Sequence, residues 1–259
     1  MPLMPGAEPF TADGGSIGVV LSHGFTGHPA SMRPWAEHLA AAGLTVRLPR
    51  LPGHGTRWQE LNATRWTDWY GEVERAYDDL ARSCDQVFCA GLSLGATLVT
   101  RLAEEKGGDI AGLILVNPSY GTERFDAKLA RFVAPFLASR PAIASDIKKP
   151  GVVEPAYDRT PVRAAVSLQK LWKVVTRDFA RITAPVLMYR SRIDHVVEPL
   201  SGRLLQAGAT ATTIHEVVLD DSYHVATLDN DAQTIFDGSV QFIAEHTAAA
   251  DDVTPSASS

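Results

Sequence analysis

The chain has 259 residues, 45% of them hydrophobic and 21% charged, and its 24 Lys and Arg against 30 Asp and Glu give a formal charge of −6. That composition suits one α/β domain with an insertion and excludes coiled coil, collagen and wholesale disorder. An acidic chain is a poor ligand for nucleic-acid phosphates. No apolar run approaches the ~20 residues that span a bilayer. The start, Met1-Pro2-Leu3-Met4-Pro5-Gly6-Ala7-Glu8, has neither the basic stretch nor the apolar core of a secretory signal. The expectation is therefore a cytoplasmic protein in which Cys84 and Cys89 stay free thiols. With so few cysteines and no His-Glu-x-x-His motif there is no zinc site to propose, so neither metal nor cofactor is expected.

In chain order, short apolar runs predict strands at Ile17–Ser22, Leu44–Pro49, Gln86–Ala90, Ala111–Asn117, Pro185–Ser191 and Thr213–Leu219. Most are nearly continuous in apolar residues, as in a sheet covered on both faces. Helical patterns fall at Ser31–Ala42, Thr67–Ser83, Ser93–Lys106, Pro199–Ala207 and Asn230–Glu245. In the second of these, Trp66, Trp69, Tyr70, Val73, Tyr77 and Leu80 recur at helical spacing, which makes them a core-facing stripe rather than a ligand platform. The alternation predicts a mainly parallel sheet flanked by helices.

The pattern breaks after Asn117-Pro118. Between Gly121 and Arg181 no convincing strand shows, while Phe125, Leu129, Phe132 and Phe136 make one helical stripe and Leu168, Leu171, Trp172 and Val175 another. Pro141, Pro150, Pro155 and Pro161 cut the stretch into short pieces. This predicts an inserted helical cap over 121–181 on a core made of 1–120 and 182–247, with 248–259 as a disordered tail.

Gly91-Leu92-Ser93-Leu94-Gly95 lies where a buried strand hands over to a helix, the context of a nucleophile elbow. Its two glycines remove side chains that so tight a turn would crowd, and the helix amino terminus favours developing negative charge. A serine nucleophile needs a base oriented by an acid, in the chain order Ser, Asp or Glu, His. Of the downstream histidines, His215 falls inside a strand, His246 ends the last helix and His195 directly follows the best acid. His224, in the loop between the last strand and the last helix, is the candidate base. Asp194, on the turn after Pro185–Ser191, is the candidate acid; its plainer reading is an Asx-type cap. Asp220 and Asp221 share the histidine's own loop and are badly placed to reach its far ring nitrogen. Acyl transfer also needs two N–H donors for an oxyanion. Leu94 supplies one, and Phe25, in His23-Gly24-Phe25-Thr26-Gly27, is the candidate for the other, with its ring lining an acyl pocket. A plain glycine-rich turn is the alternative there.

His-Gly-Phe-Thr-Gly, Pro52-Gly53-His54-Gly55, Gly-Leu-Ser-Leu-Gly, Ile-Asp-His-Val-Val and Ser-Tyr-His-Val-Ala-Thr-Leu-Asp together resemble the α/β-hydrolase family. Within it the chain looks like the compact bacterial monoacylglycerol lipases and related carboxylesterases, from about Ile17 to His246. The resemblance implies a cofactor-free serine hydrolase of carboxylic esters, above all monoacylglycerols, acting through Ser93, Asp194 and His224 with the Phe25 and Leu94 amides. His-Gly-Phe stands where many lipases have His-Gly-Gly-Gly, which points to a second donor that is not glycine. Ile143 to Glu154 also resembles the cap of those lipases, implying that Glu154 contacts the glycerol moiety and that Ile143 narrows the pocket. Glu154 could equally be a solvated surface charge. Thioesterases, peptidases and carbon–carbon bond hydrolases share this fold and triad and differ in the cap. A peptidase would want an acidic pair to seat a substrate amine, and 121–181 has no adjacent pair. That stretch carries twelve Lys or Arg against six Asp or Glu, a net of +6 that leaves −12 on the rest. Solvated helix faces explain such a bias, as does a cap resting on an anionic lipid surface.

Overall fold

A computed structural model describes residues 2–124, 134, 136–142 and 145–251. Its strands in chain order are β1 (Phe10–Ala12), β2 (Ile17–Ser22), β3 (Thr45–Leu48), β4 (Gln86–Leu92), β5 (Gly112–Val116), β6 (Ser139–Pro141), β7 (Arg159–Pro161), β8 (Val186–Ser191) and β9 (Ile214–Leu219). The α-helices among the described residues are α1 (Arg33–Ala41), α2 (Trp58–Ala63), α3 (Trp66–Ala81), α4 (Leu94–Lys106), α5 (Val162–Asp178), α6 (Leu200–Gly208) and α7 (Ala232–Asp251).

A seven-stranded sheet runs in the order β1-β3-β2-β4-β5-β8-β9. Only β1 is antiparallel to its neighbour; the other pairs are parallel. Along each central strand successive side chains enter different cores, because side chains alternate across a strand. Val19, Leu21, Phe88, Ala90, Ile114, Val116, Leu187 and Tyr189 pack with Trp35 and Leu39 of α1 and Ile235 and Phe236 of α7. Val20, Val87, Cys89, Leu113, Leu115, Val186 and Met188 pack on the opposite face with Trp69, Val73 and Tyr77 of α3, Leu98 and Leu102 of α4, and Leu171 of α5. Burial on both sides is why these strands appear as unbroken apolar runs rather than alternating ones. The aromatic stripe of α3 is core-facing as expected, with Trp66 half-buried at its end. Both cysteines are free thiols, Cys89 within β4 and Cys84 just ahead of it.

One expectation needs correction. The 121–181 stretch does hold strands: β6 and β7 form an antiparallel ribbon pairing Ser139 with Pro161, Arg140 with Thr160 and Pro141 with Arg159. Each is three residues long and closes on a proline, so no alternation develops for the sequence to show. Helix α5 turns Leu168, Leu171 and Val175 inward, whereas Phe136 of the other expected stripe is 91% exposed. Phe125, Leu129 and Phe132 lie outside the described residues, as do 252–259. Helix α7 runs to Asp251, beyond the expected tail start at 248, on a run of alanines with the best helix propensity.

The parallel strands all deliver their carboxyl ends to one edge, where the loops after β2, β4, β8 and β9 meet, the usual place for a site in an open α/β sheet. Helix α4 crosses this edge at backbone contact. A Cβ built on Gly95 would lie 1.9 Å from the Ser22 carbonyl oxygen, and one on Gly91 would lie 2.4 Å from the Gly95 carbonyl carbon. Gly95→Ala must therefore push α4 off β2. Such overpacking costs about 3 kcal/mol, and calorimetry is expected to show Tm lowered by roughly 6–12 °C in a domain of this size.

Candidate active site

β4 ends at Leu92 and α4 begins at Leu94, so Ser93 makes the turn alone, at φ 55° and ψ −114°. A side chain at positive φ is strained and persists only where its surroundings hold it. Here the Ser93 amide donates to the Val116 carbonyl (3.0 Å), and the Ser93 carbonyl accepts from the amides of Thr97 (3.1 Å) and Ser119 (3.4 Å). The side chain opens on a cavity of about 420 Å³ whose walls include Phe25, Asp146, Glu154, Trp172 and His224.

The His224 ring Nδ1 stands 2.8 Å from Asp194 Oδ2. The other oxygen, Asp194 Oδ1, accepts from the amides of Val196 and Val197, both at 2.8 Å. Asp194 is thus an Asx-type cap and the histidine's partner at once, with one oxygen for each. Burial alone would raise the Asp194 carboxyl, but the facing His224 ring and the two amides outweigh it and hold the group below its ordinary value. Burial alone would likewise lower the His224 imidazole; Asp194 first, with Glu154 and Asp146 behind it, lifts it above its ordinary value.

The backbone of His224 is also anchored at both ends. Its carbonyl accepts from Asn117 Nδ2 (2.8 Å), and its amide donates to Asp146 Oδ2 (3.2 Å). Asn117, at φ 43°, also accepts the Ser191 amide on Oδ1 (2.8 Å), so β5, β8 and the histidine loop share one side chain. Asp229 is 2% exposed and accepts from the amides of Lys148 (2.7 Å), Lys149 (2.9 Å) and Tyr223 (2.8 Å). The sequence assigns no role to Asn117, Asp146 or Asp229, although Asn117 closes a strand in an Asn-Pro pair and Asp229 ends the Ser-Tyr-His-Val-Ala-Thr-Leu-Asp motif.

Phe25 lies on the loop after β2, whose Gly24 would bring a Cβ within 3.7 Å of Ser93 Cβ. Neither the Phe25 amide nor the Leu94 amide has an acceptor among the described residues. Buried His23 sets this loop: its Nε2 accepts from the Leu51 amide (3.1 Å), which leaves Nδ1 to donate to the Gly24 carbonyl (3.0 Å). Burial, reinforced by nearby His54, drives its imidazole well below the ordinary value, so the ring is neutral. The Phe25 ring packs edge-on against Trp69 (5.9 Å) and His54 (6.4 Å).

Glu154 is no solvated surface charge. Its Oε1 would lie 2.7 Å from a Cβ on Gly27, and burial pushes its carboxyl up to about 7 while His224 pulls in the opposite direction. Ile143 lies outside the described residues. Asp220 and Asp221 are occupied elsewhere, by Arg192 and by Lys148 Nζ (2.7 Å). His215 is in β9, and His246 within α7 bonds the Phe242 carbonyl (2.8 Å). Among the described residues no group of three or more His, Cys, Asp or Glu could hold a metal ion, and no helix is long and apolar enough to cross a membrane.

The same architecture recurs in known proteins. Over 251 residues the chain is 41% identical to a thermostable monoacylglycerol lipase of Bacillus sp. (strain H-257), covering 95% of this chain and 97% of that one. A carboxylesterase of Bacillus subtilis (strain 168) is 25% identical over 240 residues, covering 91% and 96%. A solved structure from the work on LipS and LipT, two metagenome-derived lipolytic enzymes, superposes with a TM-score of 0.91 at 41% identity, covering 95% of this chain and all of that one. The alpha/beta hydrolase family description fits residues 19–237. The chain belongs to the alpha/beta hydrolase family.

Proposed function

We propose that this chain hydrolyses monoacylglycerols, with Ser93 as nucleophile, His224 as general base and acid, and Asp194 as the group that orients it. The coarser statement, that it is a carboxylic ester hydrolase, follows from its family and from 41% identity across 95% of its length to a lipase. The observation that carries the finer reading is a single cavity that brings Ser93, His224 and the raised carboxyl of Glu154 together. A glycerol monoester presents one scissile carbonyl and free hydroxyls on the departing side, so it has a use for each.

In this reading Ser93 Oγ attacks the carbonyl carbon while His224 Nε2 takes its proton. Asp194, bonded to Nδ1, holds the tautomer and stabilises the imidazolium. The Phe25 and Leu94 amides receive the oxyanion, each donor being worth about 3 kcal/mol in such sites. His224 then protonates the departing glycerol oxygen, and a water activated by the same ring releases the fatty acid. The 121–181 stretch serves as the cap over a core of 1–120 and 182–247. Its net charge of +6 and its exposed Phe136 and Val153 support contact with an anionic lipid surface that supplies substrate.

Ser93→Ala is expected to abolish turnover of p-nitrophenyl butyrate and monoacylglycerols with an unchanged circular dichroism spectrum; a retained rate rejects the assignment. A panel of acylglycerols, acyl-CoA and aminoacyl amides separates this reading from thioesterase and peptidase activity on the same triad. Glu154 is neutral below about 7 and charged above it, and a charged acceptor binds a hydroxyl more strongly than a neutral one. The ratio of monoacylglycerol to methyl ester turnover is therefore expected to rise as pH passes upward through that value, and to be lower and flat in Glu154→Gln. Salt-sensitive co-sedimentation with anionic but not neutral vesicles is the expected result for the cap; equal binding to both removes that contact.

A further inference from the structure

The inserted segment reaches the candidate base from behind as well as roofing the cavity. Asp146 has a side chain only 9% exposed. Its Oδ2 accepts from the backbone amides of His195 (3.1 Å) and His224 (3.2 Å), and its Oδ1 stands 2.7 Å from His195 Nδ1. Its own carbonyl accepts from the Val225 amide (3.1 Å). His195 directly follows Asp194, so this one carboxylate ties the loop that carries the acid to the loop that carries the base. Asp229 fixes the next residues of the insertion, Lys148 and Lys149, to Tyr223, which directly precedes His224. The two knots flank His224 and neither uses its ring.

We propose that Asp146 is a positioning residue for the hydrolytic reaction: from the inserted segment it locks the backbone of His224 to the Asp194 loop and adds a further carboxylate beside the imidazolium. The inference rests on the triad reading given above. A general base works only within hydrogen-bond reach of the proton it moves, and a misplacement of about 1 Å costs on the order of a hundredfold. Asp194 fixes one edge of the ring and Asn117 fixes the His224 carbonyl, which leaves the amide for Asp146. The acidic groups facing His224 are Asp194 from the loop after β8 and Asp146 and Glu154 from the insertion, and all three favour its charged form.

Asp146→Asn and Asp146→Leu both keep the side chain's shape; Asn retains one acceptor without the charge, and Leu retains neither. With p-nitrophenyl butyrate, Asn is expected to lower kcat about three- to tenfold with KM within about twofold, and Leu to lower kcat by more than about thirtyfold. Loss of the negative charge lowers the His224 pKa, so the acid limb of kcat/KM is expected to move to lower pH in Asn. A merely structural tie moves Tm and leaves this limb where it was. An Asn variant with wild-type kcat and an unmoved acid limb overturns the proposal. So does a change confined to KM, which would make Asp146 a wall of the substrate pocket only. Ser93→Ala run in parallel keeps the two readings apart. If it retains turnover, the triad reading falls; if it abolishes turnover while Asp146→Asn behaves as wild type, this inference alone falls.

Discussion

Helix α4 and strand β2 meet with Gly95 against the Ser22 carbonyl, closer than any side chain allows, and the geometry of the site follows from that crossing. Because α4 cannot back away, the chain must turn from β4 into the helix over one residue, and Ser93 takes a positive φ that only its three backbone hydrogen bonds make tenable. The same contact sets the loop after β2 beside the serine, where a Cβ on Gly24 would lie 3.7 Å from Ser93 Cβ. The strain is local, while the support comes from β5 and the chain after it, through Val116 and Ser119. The candidate nucleophile is thus placed by packing between backbones, which side-chain motion cannot loosen.

The candidate base, His224, is placed differently, by polar groups in a poorly solvated setting. Four contacts from three segments hold His224: Asp194 on the ring, Asn117 on the carbonyl, Asp146 on the amide, and Asp146 again through Val225. Buried carboxylates are costly unless their lone pairs are satisfied, and Asp194, Asp146 and Asp229 each accept at least three hydrogen bonds. Among the described residues Glu154 has no such set of donors, and burial raises it to about 7, while Asp194, bonded to the His224 ring and two amides, is held down. Two acids pushed in opposite directions is the pattern expected where one must stay charged and the other can respond to a ligand.

How much of this was legible in the sequence depends on the range of the interaction. The central strands and the helices α1, α3, α4, α6 and α7 announce themselves through periodicity, because each buries a face whose pattern is local. The edge strand β1 and the ribbon β6–β7 do not, since three residues leave no period to read. Ser93 is legible because its turn needs glycines at fixed offsets, and Asp194 and His224 because each occupies a strand-to-helix loop in the right order. Asp146 and Asp229 are not. Their partners lie up to about 80 residues away in the chain: Asp146, in the proline-cut stretch, resembles any surface aspartate until the fold closes around it, and Asp229, though it ends the histidine motif, shows nothing there of its bonds to Lys148 and Lys149.

The 121–181 stretch is tied at two ends to the loops around His224 and Phe25, which bears on how the proposed substrate recognition reaches the proposed chemistry. At one end Asp146 and the Asp229 knot hold it to the histidine loop. At the other the Tyr157 amide donates to the Thr26 carbonyl (3.2 Å), next to Phe25 in the chain, and its hydroxyl donates to the Gly53 carbonyl (2.8 Å) and accepts from the Thr56 amide (2.9 Å). Glu154 lies between these ties, its amide bonded to Ser145 Oγ (2.9 Å). In the proposed reaction a hydroxyl that engages Glu154 pulls on a span bonded to the His224 backbone at one end and to the loop that carries Phe25 at the other. Binding energy from the departing alcohol can then be spent on holding the reacting groups in line, which raises kcat rather than lowering KM alone.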